Sequence, residues 1–122
     1  MPGNPATPDA RAPAWAVTPE KVAAVVERLA ECARPSRIIV FGSAATGNLH
    51  RDSDLDLLVI MPHEVPNWRD ESVRLRRHVR DIFMAMDILV ISEAEAAAAI
   101  GNRYGVLGEA LRTGKLAYEA KR

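Results

Sequence analysis

The sequence predicts an α/β domain, a small mixed β-sheet flanked by helices, and three observations predict it. Apolar runs rich in β-branched residues occupy 38–41, 55–61 and 86–91, each of strand length. Stretches with apolar residues at helical spacing precede, separate and follow these runs. Acidic residues stand at the entrances of two of the runs, where they can share a site only if the strands take particular directions. The length of 122 residues, with 16 Lys+Arg against 16 Asp+Glu, fits one packed domain of zero formal charge. No excess positive charge is left to drive sequence-independent attachment to nucleic acid by counterion release. Cys32 is the single cysteine, so no internal disulfide forms, as expected for a cytoplasmic chain. No apolar run approaches the roughly 20 residues that span a bilayer, so no membrane association is expected.

Five of the eight prolines lie between Pro2 and Pro19, so residues 1–17 are expected to form a mobile Pro/Ala-rich tail and residues 18–122 a single domain. Thr18, Pro19 and Glu20 read as a helix start: a capping hydroxyl, a proline in the first turn and an acid matched to the helix dipole. Val22, Val25, Val26 and Leu29 then mark one apolar stripe, and Pro35 ends the helix. Residues 38–41 form the first strand, which stops at Gly42. Residues 55–61 form the second, apolar on both faces apart from Asp56 and therefore central in the sheet. Trp68, Leu75, Val79 and Ile82 define a crossover helix over residues 67–81, with Trp68 expected in the core. Residues 86–91 form the third strand. Ser92 and Glu95 make a capping box before a helix that reaches Ile100. Gly101, Gly105 and Gly108 interrupt the stretch beyond Ile100, Gly114 reads as a C-terminal cap, and Leu116 with Tyr118 suggests a short edge strand.

Asp54 and Asp56 are two residues apart at the entrance of the second strand, so they project from one face. Two carboxylates about 4 Å apart repel by roughly 4 kcal/mol at an effective dielectric near 20, a large share of a domain's stability of about 5–15 kcal/mol. Asp87 lies between Met86 and Ile88 at the start of the third run, where an unpaired buried charge would be expensive. Taken singly, each acid reads as an ordinary turn or strand-edge residue. Taken together they fit a hard divalent cation, because Mg²⁺ prefers carboxylate oxygens and keeps positions for water and phosphate. Gly42 and Ser43 add backbone and hydroxyl donors suited to a phosphate. For Gly42 and Ser43 to meet Asp54 and Asp56, the first two strands must be antiparallel. For Asp87 to join them, the third must run parallel to the second. Such a sheet edge carries the equipment of metal-assisted phosphoryl or nucleotidyl transfer. His50, His63 and His78 stand outside this pattern.

Gly42 and Ser43, ten residues, then Asp54, Leu55 and Asp56, within FGSAATGNLHRDSDLDLLVI and with the later MDILVIS, resemble the signature of the minimal nucleotidyltransferases of the DNA polymerase β-like superfamily. The resemblance covers about residues 20 to 120. It implies a polymerase β-like nucleotidyltransferase core, two Mg²⁺ ions, and transfer of AMP from ATP to an acceptor hydroxyl. It also implies roles: Asp54, Asp56 and Asp87 as catalytic metal ligands, with Asp87 on the metal that activates the acceptor, and Gly42 and Ser43 as the nucleotide-binding turn. Relatives often carry arginine just after the Gly-Ser pair, whereas this chain has Ala44, Ala45 and Thr46. Triphosphate affinity is then weaker, or Arg51 substitutes. Larger relatives cover the nucleotide with a helical domain, which here is expected from another chain. The resemblance accordingly implies a cognate HEPN-type partner, a ribonuclease toxin adenylylated on tyrosine by this chain as its antitoxin. Two other readings are nucleotidylation of a small hydroxyl compound, as in aminoglycoside-modifying relatives, and an antitoxin that masks its partner by contact alone.

The five arginines between Arg69 and Arg80 read as the solvated face of an amphipathic helix. Trp15 offers no choice between anchor and core, and Cys32 reads as a buried thiol rather than a nucleophile.

Overall fold

Thr18 opens the first helix by accepting the Lys21 backbone N–H on its side-chain oxygen at 3.2 Å, and Pro19 sits in the first turn, where its missing N–H has no intrahelical acceptor to lose. In the computed structural model, which describes residues 16–41, 55–101 and 105–121, this helix, α1, runs Pro19–Ala33. Arg34 ends it in the left-handed region, φ 51°, with its N–H donating to the Ala30 carbonyl at 3.2 Å. A residue with a Cβ loses about 1–2 kcal/mol there. Arg34→Gly is therefore expected to stabilise the domain by about 1 kcal/mol, a rise of roughly 4–8 °C in a circular-dichroism melt. An unchanged melt would contradict that expectation.

The chain continues through β1 (Arg37–Phe41), β2 (Leu55–Met61), α2 (Trp68–His78), β3 (Met86–Ser92), α3 (Glu93–Ile100), α4 (Val106–Thr113) and β4 (Lys115–Glu119). The strands form one sheet in the order β3-β2-β1-β4. β1 is antiparallel to β2 and to β4, while β2 and β3 are parallel and joined through α2. The sheet is thus mixed, with β2 central, as the sequence predicts. Between Ile38 and Ile39 the pairing of β1 with β4 shifts, from Ile38 opposite Tyr118 to Ile39 opposite Leu116, leaving Ala117 without a register partner.

Strand alternation divides the core in two. Ile38 and Val40, Leu55, Leu57 and Val59, and Met86, Ile88 and Val90 face one way and pack with Val25 and Leu29 of α1 and Leu75 of α2. Ile39, Leu58, Ile60 and Ile91 face the other way and meet Ala96 of α3, with Leu107 and Leu111 of α4 against them. Ala16 and Val17 are buried as well, so the last two residues of the expected tail belong to the packed chain. The rest of that tail lies outside the described residues. No helix among the described residues is long and apolar enough to cross a membrane.

Two sequence expectations need correction. Trp68 is 42% exposed instead of buried; it begins α2, ahead of the turns that bring Leu75 against the sheet, and its ring lies under the Arg69 guanidinium, 5.4 Å from the centroid. Residues 106–113 form a helix where the glycines suggest interruption. Gly108 is buried within it; an interior glycine weakens a helix by about 1 kcal/mol, which packing against α3 and β1 overrides. The Ser92 capping box is present, with the Ser92 oxygen accepting from Glu95 N–H at 3.1 Å and Glu95 Oε1 accepting from Ser92 N–H at 3.0 Å.

Candidate active site

The parallel ladder between β2 and β3 sets Asp56 directly opposite Asp87. Residues opposite each other on neighbouring strands point to the same face, and the strands lie about 4.8 Å apart. Buried apolar pairs flank the two acids on the other face: Leu55 opposite Met86 before them and Leu57 opposite Ile88 after them. A backbone bond from Leu55 N–H to the Ala85 carbonyl, 2.9 Å, continues the ladder ahead of the pair. The register is therefore pinned. A slip of one residue would turn a carboxylate into the core under α1 and α2 and expel a leucine from it.

Along the carboxylate face, the next pairs are Leu58 with Leu89 and Ile60 with Ile91, under α3 and α4. The acids thus stand just past the covered apolar part of this face. Asp56 is half-buried and Asp87 exposed. That corrects the expectation of a costly burial at Asp87: it is the second residue of an edge strand, and its side chain is exposed to solvent. On the other side of Asp56 stands Phe41, its antiparallel partner in β1, packed against the same apolar cluster. Sequence reading treats Phe41 only as a strand residue. A signal for its place exists, since Phe41 alternates with Ile39 and antiparallel pairing brings the end of β1 to the start of β2.

Gly42, Ser43 and Asp54, with Arg51 and His50, lie outside the described residues. Among the described residues no group of three His, Cys, Asp or Glu side chains comes together. His63 and His78 are exposed and stand beyond the two acids, before and in the helix that crosses over from β2 to β3. Burial pushes the Cys32 thiol upward from its ordinary pKa, which keeps it protonated at neutral pH and fits a structural role. A larger apolar groove of about 800 Å³, lined by Val22, Val26, Val40 and Tyr118 among others, lies between α1 and β4. Val40 belongs to the core face opposite Asp56, so this groove is not where a phosphate could meet the two acids.

Comparisons with known proteins agree with this geometry. No curated protein matches the sequence at a significant level. Among solved structures, a candidate nucleotidyltransferase from Sulfolobus solfataricus is similar with a TM-score of 0.59 and 20% identity, covering 82% of this chain and 78% of that one. A toxin–antitoxin structure with AMP-PNP is similar with a TM-score of 0.51 and 18% identity, covering 81% of this chain and 74% of that one. At such identities the likeness bears on the fold. The family model of the nucleotidyltransferase domain, in contrast, matches residues 20–118, from the first turn of α1 to β4, and so takes in the mixed sheet and both acids: the chain belongs to the nucleotidyltransferase domain family.

Proposed function

We propose that this protein transfers AMP from ATP to a hydroxyl group, with a tyrosine of a cognate HEPN ribonuclease toxin as acceptor and the chain acting as that toxin's antitoxin. The observation that carries the chemistry is the placement of Asp56 opposite Asp87 at one end of the sheet. Their oxygens are a donor set for a hard cation, and one half-buried plus one exposed carboxylate leaves positions for water and phosphate, as Mg²⁺ requires. Asp54, two residues before Asp56, completes the proposed ligand set of Asp54, Asp56 and Asp87. Bound there, two Mg²⁺ ions would supply charge stabilisation for both the entering and the departing oxygen of an in-line displacement.

The residues of the chain have separate tasks. Asp56, fixed by the ladder on both sides, orients the triphosphate. Asp87, on the exposed edge strand, meets the acceptor and takes its hydroxyl proton as the acceptor oxygen bonds to the α-phosphorus and the bond to pyrophosphate breaks. Gly42 and Ser43 donate to the triphosphate. The likeness to a toxin–antitoxin structure with AMP-PNP supports the partner class and the adenine nucleotide. The HEPN partner and its tyrosine follow from the resemblance of the stretch around Asp54 and Asp56.

Co-expression with the neighbouring gene product, followed by intact-mass measurement of both chains, tests this reading. A partner heavier by whole AMP units is the expected result. An unmodified but tightly bound partner would replace enzymatic modification with masking, and the absence of any partner would turn the search to small hydroxyl compounds.

A further inference from the structure

Beside the β3 entrance, on the side of the sheet away from the two carboxylates, a groove of about 490 Å³ runs between the C-terminal half of α2 and the 79–86 segment. Val73 and Met86 are part of its apolar lining, together with Phe83, and Arg76, Arg77 and Arg80 surround it. Val73 is 49% and Phe83 61% exposed, an unusual amount of apolar surface to leave beside three cations. None of these three arginines makes an ion pair among the described residues, where the salt bridges are Arg28–Asp81, Arg37–Glu93 and Arg74–Glu71.

The exposure of Phe83 does not come from a loose loop. The Lys21 ammonium donates to the Phe83 carbonyl at 2.8 Å and to the Ala16 carbonyl at 3.1 Å. The Arg28 guanidinium donates to the His78 carbonyl at 2.8 Å and binds both Asp81 oxygens, at 2.8 and 3.3 Å. Two cations from α1 therefore brace the segment, and Arg28 holds the Asp81 carboxyl below its ordinary pKa. Asp81 is thus taken by Arg28, which leaves Arg76, Arg77 and Arg80 for an outside anion. Binding there loses little ordering entropy, because the recognition surface is already fixed.

We propose that this groove docks an acidic, aromatic-containing segment of the polypeptide acceptor and so delivers the acceptor to Asp87. The inference rests on the reading that the acceptor is a protein. Charge complementarity sets the sign of the occupant, and the apolar floor, with its adaptable methionine, calls for side chains rather than phosphate alone. Met86 on the groove immediately precedes Asp87 on the other face of the edge strand, so a bound segment needs only to round that edge. A single-stranded nucleic acid fits less well. Among the described residues Phe83 is the one aromatic side chain lining the groove, where base stacking calls for successive aromatics, and the chain has no net positive charge.

The test is fluorescence anisotropy of the full chain with labelled random poly(Glu,Tyr), 4:1, with poly(Glu) and poly(U) of matched charge as competitors. The expected result is salt-sensitive binding of poly(Glu,Tyr), tighter than poly(Glu), that weakens on the order of tenfold in Arg76→Glu/Arg80→Glu and about threefold in Phe83→Ala, with ATP affinity unchanged. Arg76→Gln/Arg80→Gln, which removes charge without reversing it, serves if the reversal variant melts early. No binding, equal binding by the variants, or tighter binding of poly(U) through the same arginines would overturn the proposal. The anisotropy titrations contain neither nucleotide nor metal, so they read the groove independently of whether AMP transfer is detected, and ATP affinity is measured in a separate titration of each variant.

Discussion

Asp56→Asn and Asp87→Asn are each expected to lower nucleotidyl transfer by at least about 10³-fold while the fold is retained. Each change keeps the side-chain volume and removes the charge that would hold a divalent ion. Charge stabilisation by such an ion is worth several kcal/mol in the transition state, and about 1.4 kcal/mol corresponds to a factor of ten in rate. Stability should move differently. Asp87 is exposed and faces Asp56 across adjacent strands, so neutralising it relieves like-charge repulsion, and the metal-free melting temperature of Asp87→Asn should equal or exceed that of the parent. Transfer rates measured with and without a chelator, alongside melts of both variants, check this. Parental rates in both variants would remove the two acids from the chemistry.

A second large effect is expected from a residue with no part in catalysis. Gly114 ends α4 and begins the return into β4, its N–H donating to the Ala110 carbonyl at 2.8 Å. A Cβ there would stand 2.5 Å from the Ala110 oxygen, 2.5 Å from Ile39 Cγ2 and 2.9 Å from the Val40 oxygen. Two of these three atoms are backbone, so no rotamer change relieves the clash. Gly114→Ala should cost about 3 kcal/mol, or roughly 10–20 °C in melting temperature, by prying β4 off β1. Gly101→Ala is the matched control, since among the described residues its Cβ would meet only the Ala98 oxygen, at an ordinary 3.7 Å. Equal melts for the two would show that β4 yields at no cost.

Gly114 also illustrates how far the sequence can be read. Its position at a helix end is legible, but the reason differs from the usual left-handed cap: its φ is −73°, and lack of space against β1 is what excludes a side chain. Space is a tertiary property that no local pattern reports. The first three strands are legible because each is a short run with β-branched residues, and their directions come from asking which arrangement brings the acids and the Gly42–Ser43 turn together; the sheet has those directions. The end of helix α4 is legible but its start and extent are not, because Gly105 and Gly108 carry the same local signal whether they break a helix or allow one to pack closely. Trp68 misleads for a related reason. Helical spacing places it on the stripe of Leu75, but spacing does not say where along the helix the contact with the sheet begins. For the candidate site, the register of Asp56 with Asp87 is the part that the structure adds.

The unpaired Ala117 has a consequence for the company this protein keeps. A flat outermost strand recruits strands from neighbouring molecules, which is the common route to fibrils and swapped dimers. The extra residue at Ala117 puts the outward-facing amides of β4 out of step, so a regular strand from another molecule finds no continuous row to zip onto, and this flank of the sheet discourages self-association.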